Sequence, residues 1–290
     1  MSTVGLEAKL FSATLPGLLP SFMIIGERKC GTTSLYHYLV DHPAVLPCTV
    51  KETHFFSQST RRVRRDFESY RAFFPSGEEA EVELQTLDLD ARDQIVQSTV
   101  SKRVEAGRAY ITGEASANVL MTVPPQRVFG VLPKLKLIAV VRDPVARAFS
   151  HHAMHLRFKR EGRWAFRFVT DYRRDFGREK ALARLGLRGP YLGPGRYIES
   201  LERWLDVFPR AQLRVFRTED LAAPQSRAQV LRELCDFLDL DPFDFSASET
   251  PKRNVATNVA RDDETAEMLR AYFQPYNARL EALLGRSMDW

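Results

Sequence analysis

The chain has 290 residues, 44% hydrophobic and 27% charged, with sixteen prolines and fifteen glycines spread along its length. That is enough to bury one sizeable core, and it excludes a low-complexity or disordered chain. The net charge of +5 points to an acidic ligand without choosing between nucleotide, nucleic acid and membrane surface.

Residues 1–20 form a weakly patterned lead-in punctuated by Pro16 and Pro20, and residues 21–290 form one domain. Phe22-Met23-Ile24-Ile25 is a buried strand, Gly26 starts a tight turn, and Thr33–Val40 is a helix ended by Asp41-His42-Pro43. Ala44–Cys48 is a short strand delivering Lys51–Phe56 onto a loop. Arg61–Pro75 reads as a surface helix docked by Phe67, Tyr70, Phe73 and Phe74. A helix is expected over Gln94–Val104, a strand over Ile111–Ser116 and a short helix over Pro125–Leu132. Leu135–Val141 is apolar almost throughout, as in a central parallel strand covered on both faces. Asp143 and Pro144 suit the N-cap and first position of a helix reaching Phe158.

Residues 159–195 depart from core patterning, with many arginines around Trp164, Phe166 and Phe168 and a Gly-Pro bend at 189–195. A lid or substrate wall and a solvated pair of amphipathic helices are both open readings. Arg196–Phe208 is a helix, Gln212–Phe216 a strand, and Ser226–Leu238 and Thr265–Leu284 are helices around a basic loop at Thr250–Asn258. Strands alternating with helices define an α/β fold with a central parallel sheet.

The chemistry concentrates where strands end. The stretch Gly26-Glu27-Arg28-Lys29-Cys30-Gly31-Thr32-Thr33-Ser34 is a strand–turn–helix junction whose backbone amides converge at a helix N-terminus. Lys29 adds charge, and three hydroxyls surround it. A triphosphatase loop carries its lysine directly after the second glycine. Here Lys29 lies two residues before Gly31, and no later carboxylate stands out as a magnesium ligand. A second anion site follows the clearest strand, in Arg142-Asp143-Pro144-Val145-Ala146-Arg147-Ala148-Phe149-Ser150. Arg142 sits at the strand's C-terminal end, where open α/β sheets bind ligands.

The first stretch, K-x-G-T-T-S after an apolar strand, resembles the 5′-phosphosulfate loop of sulfotransferases that use 3′-phosphoadenosine 5′-phosphosulfate (PAPS). The second resembles that family's 3′-phosphate motif, which assigns Arg142 and Ser150 to the 3′-phosphate. Lys51-Glu52-Thr53-His54-Phe55-Phe56 resembles the K-E-x-H-F-F segment of glycosaminoglycan-type members, including bacterial ones, where the glutamate takes the acceptor proton. The resemblance therefore makes Glu52 the expected general base, with Lys29 in the catalytic set. His54 is the alternative base, because imidazoles titrate near neutral pH. His151, His152 and His155 are weaker candidates that core or surface positions explain better.

The resemblance further implies nucleotide contacts from Arg28, Lys29, Cys30, Gly31, Thr32, Thr33 and Ser34. Tyr197, in G-x-Y-x-x-x-L-x-x-W-L, borders the nucleotide or packs as a core aromatic. Lys252 and Arg253 stand where related chains have a basic loop over the 3′-phosphate, and a solvated loop is the other reading and the better one. The family's E-K-S-P-A-Y is here Glu114-Ala115-Ser116-Ala117-Asn118, without its lysine, proline and tyrosine. Glu114 and Ser116 are expected to line the cleft, and heparan sulfate itself becomes a less fitting acceptor.

The implied activity is transfer of a sulfuryl group from PAPS to an acceptor hydroxyl on a carbohydrate, lipid or secondary metabolite, without a metal. The competing readings are a P-loop kinase or triphosphatase and a non-catalytic nucleotide-binding protein. No aromatic-interleaved basic stripe argues for nucleic acid as a partner, and no stretch approaches the roughly 20 apolar residues of a membrane span. Cys30, Cys48 and Cys235 show neither metal nor disulfide spacing, so a reducing, cytoplasmic setting is expected.

Overall fold

The computed structural model describes residues 17–76, 81–89, 95–105, 107–248 and 262–290. Strand β1 (Phe22–Gly26), buried at all five positions, leads into helix α1 (Thr32–Asp41) and strand β2 (Val45–Pro47). Two short helices follow, α2 (Thr60–Arg65) and α3 (Phe67–Arg71), then strands β3 (Glu81–Leu89) and β4 (Ile95–Arg103). Strand β5 (Ile111–Ala117), helices α4 (Val119–Thr122) and α5 (Pro125–Phe129) and strand β6 (Lys136–Val141) come next. The rest comprises α6 (Pro144–Arg160), α7 (Tyr172–Ala183), α8 (Tyr197–Leu205), β7 (Leu213–Arg217), α9 (Pro224–Leu238) and α10 (Asp263–Leu284).

Five strands form one parallel sheet in the order β2-β5-β1-β6-β7. β1 lies in the middle, with Ile25 opposite Ser116 on β5 and Ala139 on β6. The apolar runs of β1 and β6 are those of strands covered on both faces, and the α/β class expected from sequence is the one formed. Because all five strands run the same way, the segments after Gly26, Pro47, Ala117, Val141 and Arg217 leave from one edge. The ligand edge of an open sheet is thereby built from distant parts of the chain.

Two expectations about these elements are corrected. The helix expected over Gln94–Val104 is not formed by its described residues: β4 pairs antiparallel with β3, from Glu81 opposite Arg103 to Leu89 opposite Ile95. Its β-branched residues Ile95, Val96, Thr99 and Val100 favour a strand once a partner is available. Arg61–Pro75 is two helices broken at Asp66, although its aromatic face docks as expected, with Tyr70 buried and stacked 4.6 Å from Phe55. Helix α4 was not anticipated. In 159–195, a 3₁₀ turn (Trp164–Phe166) is followed by α7, which packs on α6 and α10 through a second apolar cluster including Phe149, Phe176, Tyr191 and Phe273. Lys252 and Arg253 lie outside the described residues.

Candidate active site

β1 ends at Gly26 because nothing larger fits. A Cβ there would lie 2.7 Å from Thr32 Cγ2 and 3.0 Å from the Val140 carbonyl oxygen. The chain then turns with Lys29 (φ 74°) and Gly31 (φ 82°) in the left-handed region. Gly31 is the N-cap of α1, with no side-chain cap, and the first turn holds no acidic residue. The amides of Thr32, Thr33 and Ser34 thus lack intrahelical acceptors and face outward at the positive end of the helix. A left-handed lysine costs of order 1–3 kcal/mol and persists only where its surroundings hold it. Arg142 does so by donating from Nη1 to the Lys29 carbonyl at 3.0 Å, and Thr218 Oγ1 donates to the Cys30 carbonyl.

Cys30 and Tyr197 lie beneath this loop instead of in it. Both are essentially fully buried, with the Tyr197 hydroxyl 3.4 Å from Cys30 Sγ and accepting from the Arg142 amide at 3.4 Å. Burial pushes the Cys30 thiol up to about 11, so it is inert as a nucleophile. Tyr197 therefore acts as a strut between the two anion motifs. Ser150 is buried two turns along α6. His151, His152 and His155 are core histidines: all are buried, with His152 Nε2 3.0 Å from Asp175 and His155 Nδ1 3.0 Å from the Tyr191 hydroxyl. Desolvation holds each below the usual imidazole range, His155 at about 4.

Glu27 is buried behind the loop and accepts from the Met121 amide at 2.8 Å. With its amide turned to satisfy both neighbours, Asn118 donates to Glu27 Oε2 (3.2 Å) and accepts from Arg28 Nε (3.0 Å). Desolvation raises Glu27 from 4.5 to about 7, against the pull of Arg147, the Met121 amide, Arg28 and Arg203. Below pH 4.5 the carboxyl is neutral folded or unfolded. As pH rises to 7 the unfolded chain releases this proton and the folded one keeps it, so stability falls across that window. Relative to Glu27→Gln, the wild type is expected to lose up to about 3 kcal/mol between those pH values, read from denaturant midpoints at each. A pH-independent difference would refute the raised carboxyl.

The segment after β2 brings a second group of polar side chains to the same edge. Glu52 (φ 64°) and His54 (φ 49°) are also left-handed. Glu52 Oε1 accepts from Lys51 Nζ at 3.1 Å, and Oε2 lies 3.3 Å from His54 Nε2. Burial opposes ionisation of Glu52, but the hydrogen bond to His54 and the Lys51 charge outweigh it and pull the carboxyl to about 2. What holds this segment is Glu114, which does not line the cleft. It is fully buried on β5 and accepts from the hydroxyls of Tyr70 (2.6 Å), Thr53 (2.6 Å) and Ser116 (2.7 Å). The Thr53 and Ser116 oxygens in turn accept from the Phe55 and His54 amides. Glu114→Ala would strand three hydroxyls and is expected to cost about 3 kcal/mol in denaturant unfolding, with nucleotide affinity at the Lys29 loop retained.

The structure thus brings Arg28, Lys29, Gly31, the first turn of α1 and Arg142 together at one sheet edge, with Glu52 and His54 paired two strands away. Sequence reasoning missed Thr218, Glu27, Asn118 and Arg147. Thr218 follows β7 at the same sheet edge, so the rule that selected Arg142 could have found it. Arg147 is fully buried, with Nη1 3.3 Å from His151 Nδ1 and Nη2 donating to the Tyr191 carbonyl. Nothing local marks it as buried.

The chain is similar to carbohydrate sulfotransferase 15 of Homo sapiens, 27% identical over 92% of this chain and 53% of the relative. It is also similar to the bifunctional heparan sulfate N-deacetylase/N-sulfotransferase 3 of Homo sapiens, 28% identical over 92% of this chain and 30% of the relative. It therefore spans about half, or less, of the length of these curated relatives. Among solved structures, a sulfotransferase from Alicyclobacillus acidocaldarius is 29% identical, with a TM-score of 0.62 over 93% of this chain and 98% of that one. Residues 20–244 match the model of the sulfotransferase family, and with the phosphate loop and its arginine partner in place, the chain belongs to that family.

Proposed function

We propose that this chain moves a sulfuryl group from PAPS to a carbohydrate hydroxyl, leaving adenosine 3′,5′-bisphosphate. The observation that carries the reading is the hydrogen bond from Arg142 Nη1 to the Lys29 carbonyl, which joins anion motifs 113 residues apart into one site. A nucleotide phosphorylated at both 5′ and 3′ positions asks for such a pair, whereas a triphosphate does not. The uncapped first turn of α1, without acidic residues, fits an anion. The names of the similar relatives support a carbohydrate acceptor.

PAPS supplies the group that is transferred, with the bisphosphate as leaving group. Lys29 and the amides of Thr32, Thr33 and Ser34 hold the 5′-phosphate and stabilise the charge that grows there as the bond breaks. Arg142, with Ser150, holds the 3′-phosphate. Glu52 receives the acceptor proton directly, or orients His54 to receive it; their 3.3 Å contact favours weighing the second route. A cytoplasmic site is part of the proposal and is supported by three free, buried thiols. No described helix is long and apolar enough to cross a membrane.

Calorimetric titration with adenosine 3′,5′-bisphosphate and with ATP separates this reading from a kinase or triphosphatase. The bisphosphate is expected to bind at least about tenfold tighter. Tighter binding of ATP would overturn the assignment. Bisphosphate binding without transfer of labelled sulfate to any glycan would leave a non-catalytic binder.

A further inference from the structure

The end of α6 and the turn after it carry a feature that neither the core nor the nucleotide site uses. Between residues 157 and 168, Arg157, Lys159, Arg160, Arg163 and Arg167 stand against a single acid, Glu161. In the same stretch Trp164 and Phe168 are each 73% exposed. Large rings gain nothing for folding at such positions. They are also not splayed at random. The Arg167 guanidinium carbon lies 3.4 Å from the Trp164 ring centroid and 4.0 Å from that of Phe168. Arg167 Nη1 donates to the Trp164 carbonyl at 3.1 Å, which fixes the guanidinium between the rings.

One ring anchors this surface on α6. Phe166, in the same turn, points inward, with its centroid 4.7 Å from His155 and 5.0 Å from Phe158. His155 lies on α6, the helix that follows Arg142 and Asp143. The turn is thereby packed on the helix that opens from the Arg142 motif.

We propose that Trp164, Arg167 and Phe168 form an outer subsite for an acidic saccharide chain, gripping its non-reacting sugars while one hydroxyl reaches Glu52 and His54. This inference rests on the carbohydrate reading above. A fixed planar guanidinium pairs bidentately with a sulfate or carboxylate. The flanking ring faces suit the apolar faces of sugar rings, and Arg160 and Arg163 extend the positive charge. A bilayer fits less well, because inserting the rings would carry the Arg167 charge into hydrocarbon. Single-stranded nucleic acid asks for a groove that tracks its backbone, and here the basic side chains are confined to one helix end and its turn.

The test uses the full chain saturated with adenosine 3′,5′-bisphosphate and titrated with a sulfated chondroitin hexasaccharide. Arg167→Ala and the double variant Trp164→Ala/Phe168→Ala are expected to bind it about tenfold more weakly, with bisphosphate affinity unchanged. In turnover the same variants should raise KM for the hexasaccharide while kcat stays within about twofold. Arg167→Lys, which keeps charge but loses the planar fork, should fall between them and the wild type. Hexasaccharide affinity unaffected in these variants would overturn the subsite while leaving the proposed reaction intact. So would a dependence on Arg167 seen with a single-stranded oligonucleotide or phosphatidylserine vesicles and absent with the saccharide. Failure of the wild type to bind the bisphosphate would instead overturn the sulfotransferase reading and this inference with it.

Discussion

Lys29→Ala is expected to lower the rate of sulfuryl transfer by ~10²–10³-fold, the usual effect of removing one preorganised donor from a developing oxyanion. The loop backbone has anchors of its own around the lysine. The left-handed backbone at Lys29 is held through main-chain carbonyls, one by Arg142 and the next by Thr218. Alanine tolerates that conformation about as well as lysine does, so the ammonium is removed and the cradle stays. Arg142→Ala should differ. It removes the guanidinium and also the partner of the Lys29 carbonyl, so nucleotide affinity should fall together with the rate. Labelled-sulfate transfer and calorimetry on both variants test the pair of statements. An unchanged kcat/KM in Lys29→Ala would remove the loop from the chemistry.

Glu52→Gln is expected to lower transfer by ~10²–10⁴-fold with adenosine 3′,5′-bisphosphate binding intact, as for loss of a general base or of the carboxylate that orients one. The pH profile and a second substitution together separate those roles. Glu52 is held at about 2, so it is ionised throughout the physiological range. If it takes the proton directly, kcat/KM should show no acid limb between pH 5 and 8. If His54 takes it, Glu52 only fixes the ring and the histidine is indispensable. His54→Ala should then be as damaging as Glu52→Gln. Full activity in Glu52→Gln would exclude both roles. The depressed carboxyl also makes this pair a stabilising contact above its ordinary 4.5, lost as pH falls toward 2.

Much of the frame around the candidate site is legible in the sequence. Phe22–Ile25 and Leu135–Val141 read as buried strands because their apolar runs are long relative to their polar flanks, and each opens on a motif that the fold places at the ligand edge. Asp143 and Pro144 act as the expected cap and first turn, with the Asp143 carboxylate accepting from the Val145 amide at 2.9 Å. The helix expected over Gln94–Val104 failed because a segment of β-branched residues takes the form its neighbour offers. The cleft-lining role expected of Glu114 failed because its side chain turns inward to three hydroxyls, two of them from segments far away in the chain.

By itself, the sequence determined where the strands stop, which turns carry glycine and lysine, and which helix starts with an uncapped N-terminus. These are local matters, set within a few residues by sterics, capping and dipole. Only the tertiary structure decided how each charge is partnered. It seats Arg142 on the Lys29 carbonyl, makes Glu114 the anchor of the Glu52 segment, and buries Arg147 and three histidines that could have been catalytic. It also stacks Arg167 between two exposed rings. Burial and partner set the protonation of a carboxylate or imidazole. For Glu27 and His152 the partner comes from far along the chain, beyond what local pattern encodes, whereas Glu52 is partnered by its neighbours Lys51 and His54.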